Sequence, residues 1–224
     1  MNTRKTSLTF LLALIILSFT FQVQAQSILI DGSFDDWAGV PVFLTDPEND
    51  GAVPSEDISS CKITQNTETG MIYFLYNHYN PQPLEGGIIY SILLDTRPGG
   101  AQPGGADYVI TYGLESEVSP ALTIYVNLDG EPILNAFDED LDDFVIADCE
   151  GLEATHGPGP DGGLSIEFCV PMECIGSPGC FDVSYFTTSF GIDNSDYAPD
   201  LEEGSIVYQQ YCIPPEPVGG ELVQ

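Results

Sequence analysis

The sequence is poor in basic residues: 224 residues include four Lys and Arg against 35 Asp and Glu, a formal net charge of −31. Nucleic-acid binding depends on Lys and Arg that neutralise phosphates, so this composition excludes a protein that binds DNA or RNA. The same charge argues against binding to anionic membrane surfaces. A surface this acidic attracts cations, which fits calcium sites, adaptation to high salt, or both.

Histidine is also scarce, with two residues, and the G-x-S-x-G and H-E-x-x-H motifs are absent. The sequence therefore offers few histidines for a Ser-His-Asp triad or a His-rich zinc site. Glycoside hydrolysis requires a carboxylate pair, and no spacing singles one out among the 35 acids. The sequence favours a non-catalytic protein and leaves a glycoside-processing enzyme with a carboxylate pair as an alternative.

The first 25 residues have the pattern of a secretory signal peptide. Arg4 and Lys5 precede an apolar run at 8–21, and Val23 and Ala25 are the small residues of a cleavage site. The alternative is a transmembrane anchor, for which the uncharged run is short. We therefore expect a chain that is secreted, periplasmic or on the cell surface.

Six cysteines in an exported chain predict disulfides rather than thiol chemistry. Cys174 and Cys180 flank a short Ser-Pro-Gly loop and are predicted to pair with each other. The pairing of the other four stays open from the sequence; these are Cys61, Cys149, Cys169 and Cys212.

The mature chain has the periodicity of β-strands and almost no sign of helix. Residues 164–170 alternate strictly, which predicts a half-buried strand with Glu167 on its outer face. The apolar runs 71–76 and 88–94 predict central strands buried on both sides. About ten strands predict one antiparallel, jelly-roll-like β-sandwich over 26–212, followed by a loose Pro/Gly-rich tail at 213–224. The one helical signal is a turn at 172–175, after Pro171.

Two acidic loops have the composition of cation sites. Residues 46–57 carry carboxylates at positions 1, 3, 5 and 12 and a glycine at position 6, the spacing of a calcium-binding loop. These carboxylates are Asp46, Glu48, Asp50 and Asp57. Residues 95–107 are rich in Gly and Pro, with Asp95 and Asp107 at the two ends. For the first loop the alternative is a solvated acidic turn between two strands, and for the second it is a long hairpin capped by Asp side chains.

Several segments, in order along the chain, resemble family 9 carbohydrate-binding modules and the related DOMON-like sandwiches. They are the Ile-Asp-Gly-Ser-Phe-Asp-Asp-Trp sequence at 30–37, the acids at 46–50 and 57, the strand-loop-strand at 93–110, the Ile-Glu-Phe-Cys-Val-Pro-Met segment at 166–172, and the section at 183–200. The resemblance spans nearly all of 28–211. It implies a calcium-bearing sandwich of the kind found in exported proteins and often joined to glycoside-active enzymes.

The resemblance also implies ion ligands, which are Asp31, Asp36, Asp46, Asp50, Asp57, Asp95 and Asp107. Sugar-binding members stack the sugar on aromatic rings, usually tryptophans, whereas this chain has one tryptophan, Trp37. The candidates for a sugar platform are therefore tyrosines: Tyr76, Tyr79, Tyr112, Tyr125 and Tyr197.

The expected function is a non-catalytic carbohydrate-binding module that calcium stabilises and that binds a glycan or polysaccharide. We also expect a cell-surface or enzyme partner. The alternative is a calcium-dependent structural or adhesive domain of the cell surface that binds no sugar.

Overall fold

The computed structural model describes residues 27–51, 56–80, 88–96, 106–113, 121–127, 144–146, 148–189, 195–203 and 205–214. The predicted signal peptide and nearly all of the predicted tail lie outside these residues. So do most of the second acidic loop and the acidic run at 138–143.

The described residues form twelve strands. In chain order they are β1 (Leu44–Thr45), β2 (Ile58–Asn66), β3 (Met71–His78), β4 (Ile88–Asp95), β5 (Tyr108–Gly113), β6 (Ala121–Asn127), β7 (Phe144–Ile146), β8 (Glu153–Pro158), β9 (Leu164–Pro171), β10 (Cys180–Ser189), β11 (Ser195–Ala198) and β12 (Gln209–Cys212).

The strands pair into two antiparallel sheets. The five-stranded sheet has the order β1-β2-β3-β9-β8, and the seven-stranded sheet has the order β11-β10-β4-β5-β6-β7, with β12 also paired to β10. The apolar runs at 71–76 and 88–94 lie in β3 and β4, each flanked by a strand on both sides. The predicted antiparallel all-β sandwich is confirmed.

The described residues include two short 3-10 helices. One spans Asp35–Gly39, and the other spans Met172–Ile175 directly after Pro171, where the sequence predicted a helical turn. None of the helices among the described residues has the length and apolar character needed to cross a bilayer.

The inner faces of the two sheets pack into one apolar core. Alternate residues of β3 and β9 point inward, and opposite them lie alternate residues of β4, β5 and β10. The largest side chains buried there are aromatic: Phe74, Tyr76, Tyr90, Tyr112, Phe168, Phe181 and Tyr185. Fully burying one large apolar side chain contributes roughly 1.5–3 kcal/mol, so this core is the main source of stability.

Strand β9 differs from its prediction because both of its faces are buried. All eight residues of Leu164–Pro171 are shielded from solvent. The cause is residues 28–40, here called the strap, which cross the outer face of the five-stranded sheet and pack Phe34 and Trp37 against Tyr73, Leu75 and Cys169. The prediction of a half-buried strand was wrong because the strap has no periodicity that reveals where it packs.

Glu167 holds the strap in place. Its Oε1 accepts hydrogen bonds from the backbone N–H groups of Asp31 at 3.0 Å and Gly32 at 2.9 Å, and its Oε2 accepts one from Trp37 Nε1 at 2.9 Å. On the same face the Lys62 ammonium donates to the Trp37 carbonyl at 2.9 Å. Burial raises the pKa of Glu167, and the N–H groups of Gly32, Trp37 and Asp31 oppose that shift. The buried carboxylate is thus a structural anchor.

The seven-stranded sheet also has a covered outer face. Leu93, Ala106, Val109 and Phe186 form a small apolar cluster there. Three partly buried side chains pack over it, which we call the outer cover: Tyr197, Ile206 and Tyr208.

The predicted pairing of Cys174 with Cys180 is wrong. Cys174 pairs with Cys149, and Cys180 pairs with Cys212, while Cys61 and Cys169 are buried free thiols. Strand pairing explains the second bridge, because Cys180 at the start of β10 lies directly opposite Cys212 in β12. Two disulfides are typical of proteins from an oxidising environment.

Candidate metal centre

Three carboxylates from distant parts of the chain meet at one end of the sandwich. One oxygen each of Asp46, Asp50 and Asp196 lies within 4.8 Å of the others, and we call these residues the inter-sheet cluster. Asp46 directly follows β1 of the five-stranded sheet, and Asp50 lies in the loop after it. Asp196 belongs to β11 at the edge of the seven-stranded sheet. The cluster therefore joins one sheet to the other.

The cluster has a buried side and a solvent side. Asp46 is 5% exposed and Asp196 is 3% exposed, whereas Asp50 is exposed. Asp196 is partly satisfied, because its Oδ2 accepts from Ile58 N at 2.7 Å and its Oδ1 from Tyr197 N at 3.0 Å. Asp46 Oδ2, in contrast, is buried and has no hydrogen-bond partner among the residues that the structure describes.

This arrangement makes the charged state of the cluster costly. Burial raises the pKa of Asp46 to about 8, and the negative charges of Asp196, Asp50, Asp200 and Asp57 add to the shift. Burial likewise raises the pKa of Asp196 to about 7, with Asp50 and Asp57 contributing, although the Ile58 N–H opposes the shift. Carboxylates that repel one another and are desolvated favour a proton or a cation between them.

The loop from Asp46 to Asp57 is shaped by its own side chains. The Asp57 carboxylate accepts from Asn49 N at 3.0 and 3.2 Å, and Asn49 has a left-handed φ of 71°. Gly51 passes so close to Asp57 that an added Cβ would lie 2.9 Å from the Asp57 Cα. Glycine is therefore required where the loop turns back on itself.

Tyr79 braces the same loop from outside. Its hydroxyl donates to the Asp46 carbonyl at 2.7 Å, and its backbone N–H donates to the Asp57 carbonyl at 3.0 Å. Burial and the nearby charges of Asp57 and Glu48 raise the pKa of Tyr79. Its ring is 38% exposed, so it presents an aromatic surface beside the acids.

The predicted ion ligands lie in different parts of the structure and do not form one site. Asp46 and Asp50 are members of the inter-sheet cluster, Asp57 braces the loop, and Glu48 is exposed on it. Asp31 and Asp36 lie in the strap, where their carboxylates accept from Ser33 N at 2.8 Å and Leu29 N at 2.7 Å. These two carboxylates are not members of the cluster.

The second predicted loop also lies apart from the cluster. Asp107 accepts from Thr96 N at 2.8 Å, a bond between the residue after β4 and the residue before β5. Asp95 is buried and lies opposite the buried Asp182 across β4 and β10. Neither carboxylate belongs to the inter-sheet cluster.

Sequence reasoning missed Asp196 as a ligand candidate and Glu167 as the anchor of the strap. In the sequence Asp196 is one of three acids between positions 193 and 200, and its contact with Ile58 spans 138 positions. The segment Ser-Asp-Tyr-Ala does not alternate in polarity, so its sequence gives no sign that Asp196 shares the buried face of β11 with Ala198. Glu167 stands on the predicted outer face of its strand, and its three donors lie 130 to 136 positions away.

Two of the five tyrosines of the predicted sugar platform are buried in the core. Tyr76 is 0% exposed and Tyr112 is 1% exposed, so neither ring offers a face to a sugar. Tyr197 stacks on Phe186 with ring centroids 5.6 Å apart. The Tyr125 side chain lies outside the described part of the chain. Among the five tyrosines, Tyr79 alone is both described and exposed.

The chain was compared with protein-family models, curated proteins and solved structures, and nothing matches. The resemblance to family 9 carbohydrate-binding modules therefore stays a prediction, and the geometry of the inter-sheet cluster is the basis for a functional proposal.

Proposed function

We propose that this chain is an exported, non-catalytic β-sandwich module that binds calcium at the inter-sheet cluster. The observation that carries the proposal is the Asp46 carboxylate. Its buried Oδ2 lacks a hydrogen-bond partner within the described structure, and one of its oxygens lies within 4.8 Å of oxygens of Asp50 and Asp196. Burying an ionised carboxylate without compensation is costly, and a bound cation removes that cost. The two disulfides support export.

The donor set favours calcium over transition metals. All three side chains of the cluster offer carboxylate oxygen and none offers nitrogen or sulfur, which suits hard cations. Calcium accepts six to eight oxygen ligands in irregular geometry, whereas magnesium demands a near-ideal octahedron. Asp46, Asp50 and Asp196 would hold the ion, and backbone carbonyls and water would complete its shell.

Calcium at this position would act as a clamp between the sheets. It would neutralise acids that belong to the loop after β1 and to β11, which otherwise repel one another. Because the ion binds the folded chain and has no equivalent site in the unfolded chain, it adds stability in proportion to the logarithm of its concentration.

Glycan binding is the role that the sequence resemblance implies, and the exposed Tyr79 ring beside the cluster is the described residue that supports it. The second candidate role is a structural or adhesive domain that binds no sugar. The burial of Tyr76 and Tyr112 favours this second role, because it removes two of the five platform candidates.

Thermal unfolding tests calcium binding. We expect calcium to raise the unfolding temperature of the mature chain well above the effect of sodium chloride at equal ionic strength. Asp46→Asn should abolish the calcium response. Glu68→Gln is the matched control, because Glu68 lies in the exposed turn at the far end of β2, and it should keep the full response. An equal gain from sodium chloride alone would show salt adaptation in place of a calcium site.

A glycan array with calcium present tests the binding role separately. Binding that weakens in Tyr79→Ala while the calcium response remains would support a glycan-binding module. Absence of binding together with an intact calcium response would leave the structural role, and release of cleaved product would point to the enzymatic alternative.

A further inference from the structure

Strand β11 connects the inter-sheet cluster to the outer cover. Asp196 and Ala198 are on its buried face, and Asp196 belongs to the cluster. Tyr197 is on the opposite face and stacks on Phe186 with an interplanar angle of 18°. One short strand thus carries a ligand candidate on one side and part of the apolar cover on the other.

The attachments of β11 are few. It is four residues long, lies at the edge of its sheet, and pairs with β10 through four residue pairs. Toward the five-stranded sheet, Asp196 Oδ2 accepts the hydrogen bond of Ile58 N at 2.7 Å. A short edge strand with so few bonds belongs to the least stable part of a fold.

Charge acts on the same strand. Asp196 lies in β11 and Asp200 shortly after it, while Asp46, Asp50 and Asp57 lie on the loop that faces them. The charge of Asp50 also acts on the Asp200 carboxyl. When no cation is bound, ionised acids on the two sides repel, and the repulsion acts to separate β11 from the loop after β1.

We propose that the cation acts as a gate for the outer cover: the cover is closed while the cation is bound and opens when it leaves. This inference rests on the proposed calcium binding. With the cluster filled, β11 stays docked and Tyr197, Ile206 and Tyr208 shield the outer face of the seven-stranded sheet. When the cation leaves, β11 detaches together with the cover and exposes Leu93, Val109 and Phe186, which are at most 5% exposed in the closed state.

Loss of calcium would thereby expose the apolar cluster on the outer face of the seven-stranded sheet. Among the described residues of the inner core, Ala198 alone belongs to β11. The rest of that core does not need to open, because central strands such as β3, β4 and β9 have neighbours on both sides. The strap side should likewise stay closed, since its anchor Glu167 bonds the strap directly.

Hydrogen exchange of the full mature chain with its disulfides intact tests the gate. Exchange is followed by mass spectrometry in excess calcium chloride and in EGTA with matched sodium chloride, at a mildly alkaline pH. We expect peptides covering 195–198 and 205–208 to exchange at least about tenfold faster in EGTA, while peptides of β9 and the strap stay unchanged. A dye that binds apolar surface should bind more strongly in EGTA.

Two variants distinguish an effect of the charge at the inter-sheet cluster from a general loss of structure. Asp196→Asn keeps an oxygen that accepts from Ile58 N but removes the charge, so its cover should exchange slowly even in EGTA. Glu68→Gln removes one acid in the exposed turn at the far end of β2 and should retain the full difference between calcium and EGTA.

Calorimetric titration of calcium on the same samples distinguishes the two proposals. Calcium uptake with identical exchange of 195–208 in both conditions would overturn the gate and leave calcium binding intact. Absence of calcium uptake would overturn calcium binding and the gate with it. Faster exchange in EGTA spread evenly over β9, the strap and β11 would also overturn the gate, because it would show global rather than local opening.

Discussion

The stability of the calcium-free chain should fall as the pH rises, which is opposite to the behaviour of a protein held by ionised carboxylates. Burial and mutual repulsion raise the pKa of Asp46 to about 8 and that of Asp196 to about 7 in the folded chain, from an ordinary aspartate value of 3.8. Between about pH 4 and pH 8 the folded chain therefore retains protons that the unfolded chain has released. Stability decreases with rising pH wherever the folded state binds more protons.

The size of this effect follows from the shift at Asp46. One pKa unit corresponds to about 1.4 kcal/mol, so moving the pKa from 3.8 to about 8 costs on the order of 5 kcal/mol once the pH exceeds 8. Part of the shift at Asp196 is the same mutual repulsion, so the two contributions do not simply add. For a domain of this size, about 5 kcal/mol lowers the unfolding temperature by roughly 10–20 °C.

Thermal unfolding from pH 5 to pH 9 measures this dependence, once in EGTA and once in excess calcium. In EGTA we predict a steady fall in unfolding temperature up to about pH 8, and in calcium a much flatter curve because the cation replaces the protons. Asp46→Asn should flatten the EGTA curve, since it removes the group with the largest shift. A wild-type curve in EGTA that is level or rises between pH 5 and pH 8 would refute the assignment of these pKa values to a buried, crowded cluster.

Three further predictions concern the strap, the disulfides and the loop. Glu167→Ala should lower the free energy of unfolding by about 3–6 kcal/mol in urea titrations, because three N–H donors lose their acceptor and each costs about 1–3 kcal/mol; a loss under 1 kcal/mol would contradict its role as anchor. Replacing Cys180 and Cys212 together by serine should cost about 3–4 kcal/mol, given their separation of 32 positions; peptide mapping that finds Cys174 joined to Cys180 would refute the bridge itself. Gly51→Ala should weaken calcium binding at least about tenfold in calorimetry, because its Cβ would displace Asp57; unchanged affinity would show that the loop adapts.

The architecture was predictable wherever a strand lies at the centre of a sheet. The apolar runs of β3 and β4 identify themselves because both of their faces are buried. Strands β8 and β11 gave no such signal. β8 is an edge strand with partly exposed side chains, and β11 consists of four residues, Ser-Asp-Tyr-Ala, whose burial alternates although their polarity does not.

The covers on the outer faces were not predictable. The strap has no regular period, so nothing in its sequence shows that Trp37 packs against Tyr73 and bonds Glu167. As a result, strand β9 is buried on both faces, although its alternating sequence predicts one buried face and one exposed face.

Two of the three residues of the candidate site could be predicted from the sequence. Asp46 and Asp50 stand out because the loop spacing is local. Asp196 joins them through the packing of one sheet on the other, which local spacing does not encode. The same limit explains the disulfide error, since Cys180 and Cys212 meet through strand pairing while Cys174 is merely nearer in sequence.

The most direct test of an inter-sheet cation site is anomalous diffraction from crystals grown with calcium and then exchanged with a lanthanide. We predict one strong anomalous peak between the carboxylates of Asp46, Asp50 and Asp196, absent from crystals of Asp46→Asn. A map without a peak at that position, or with peaks confined to exposed acids elsewhere, would contradict the assignment of this cluster as the cation site.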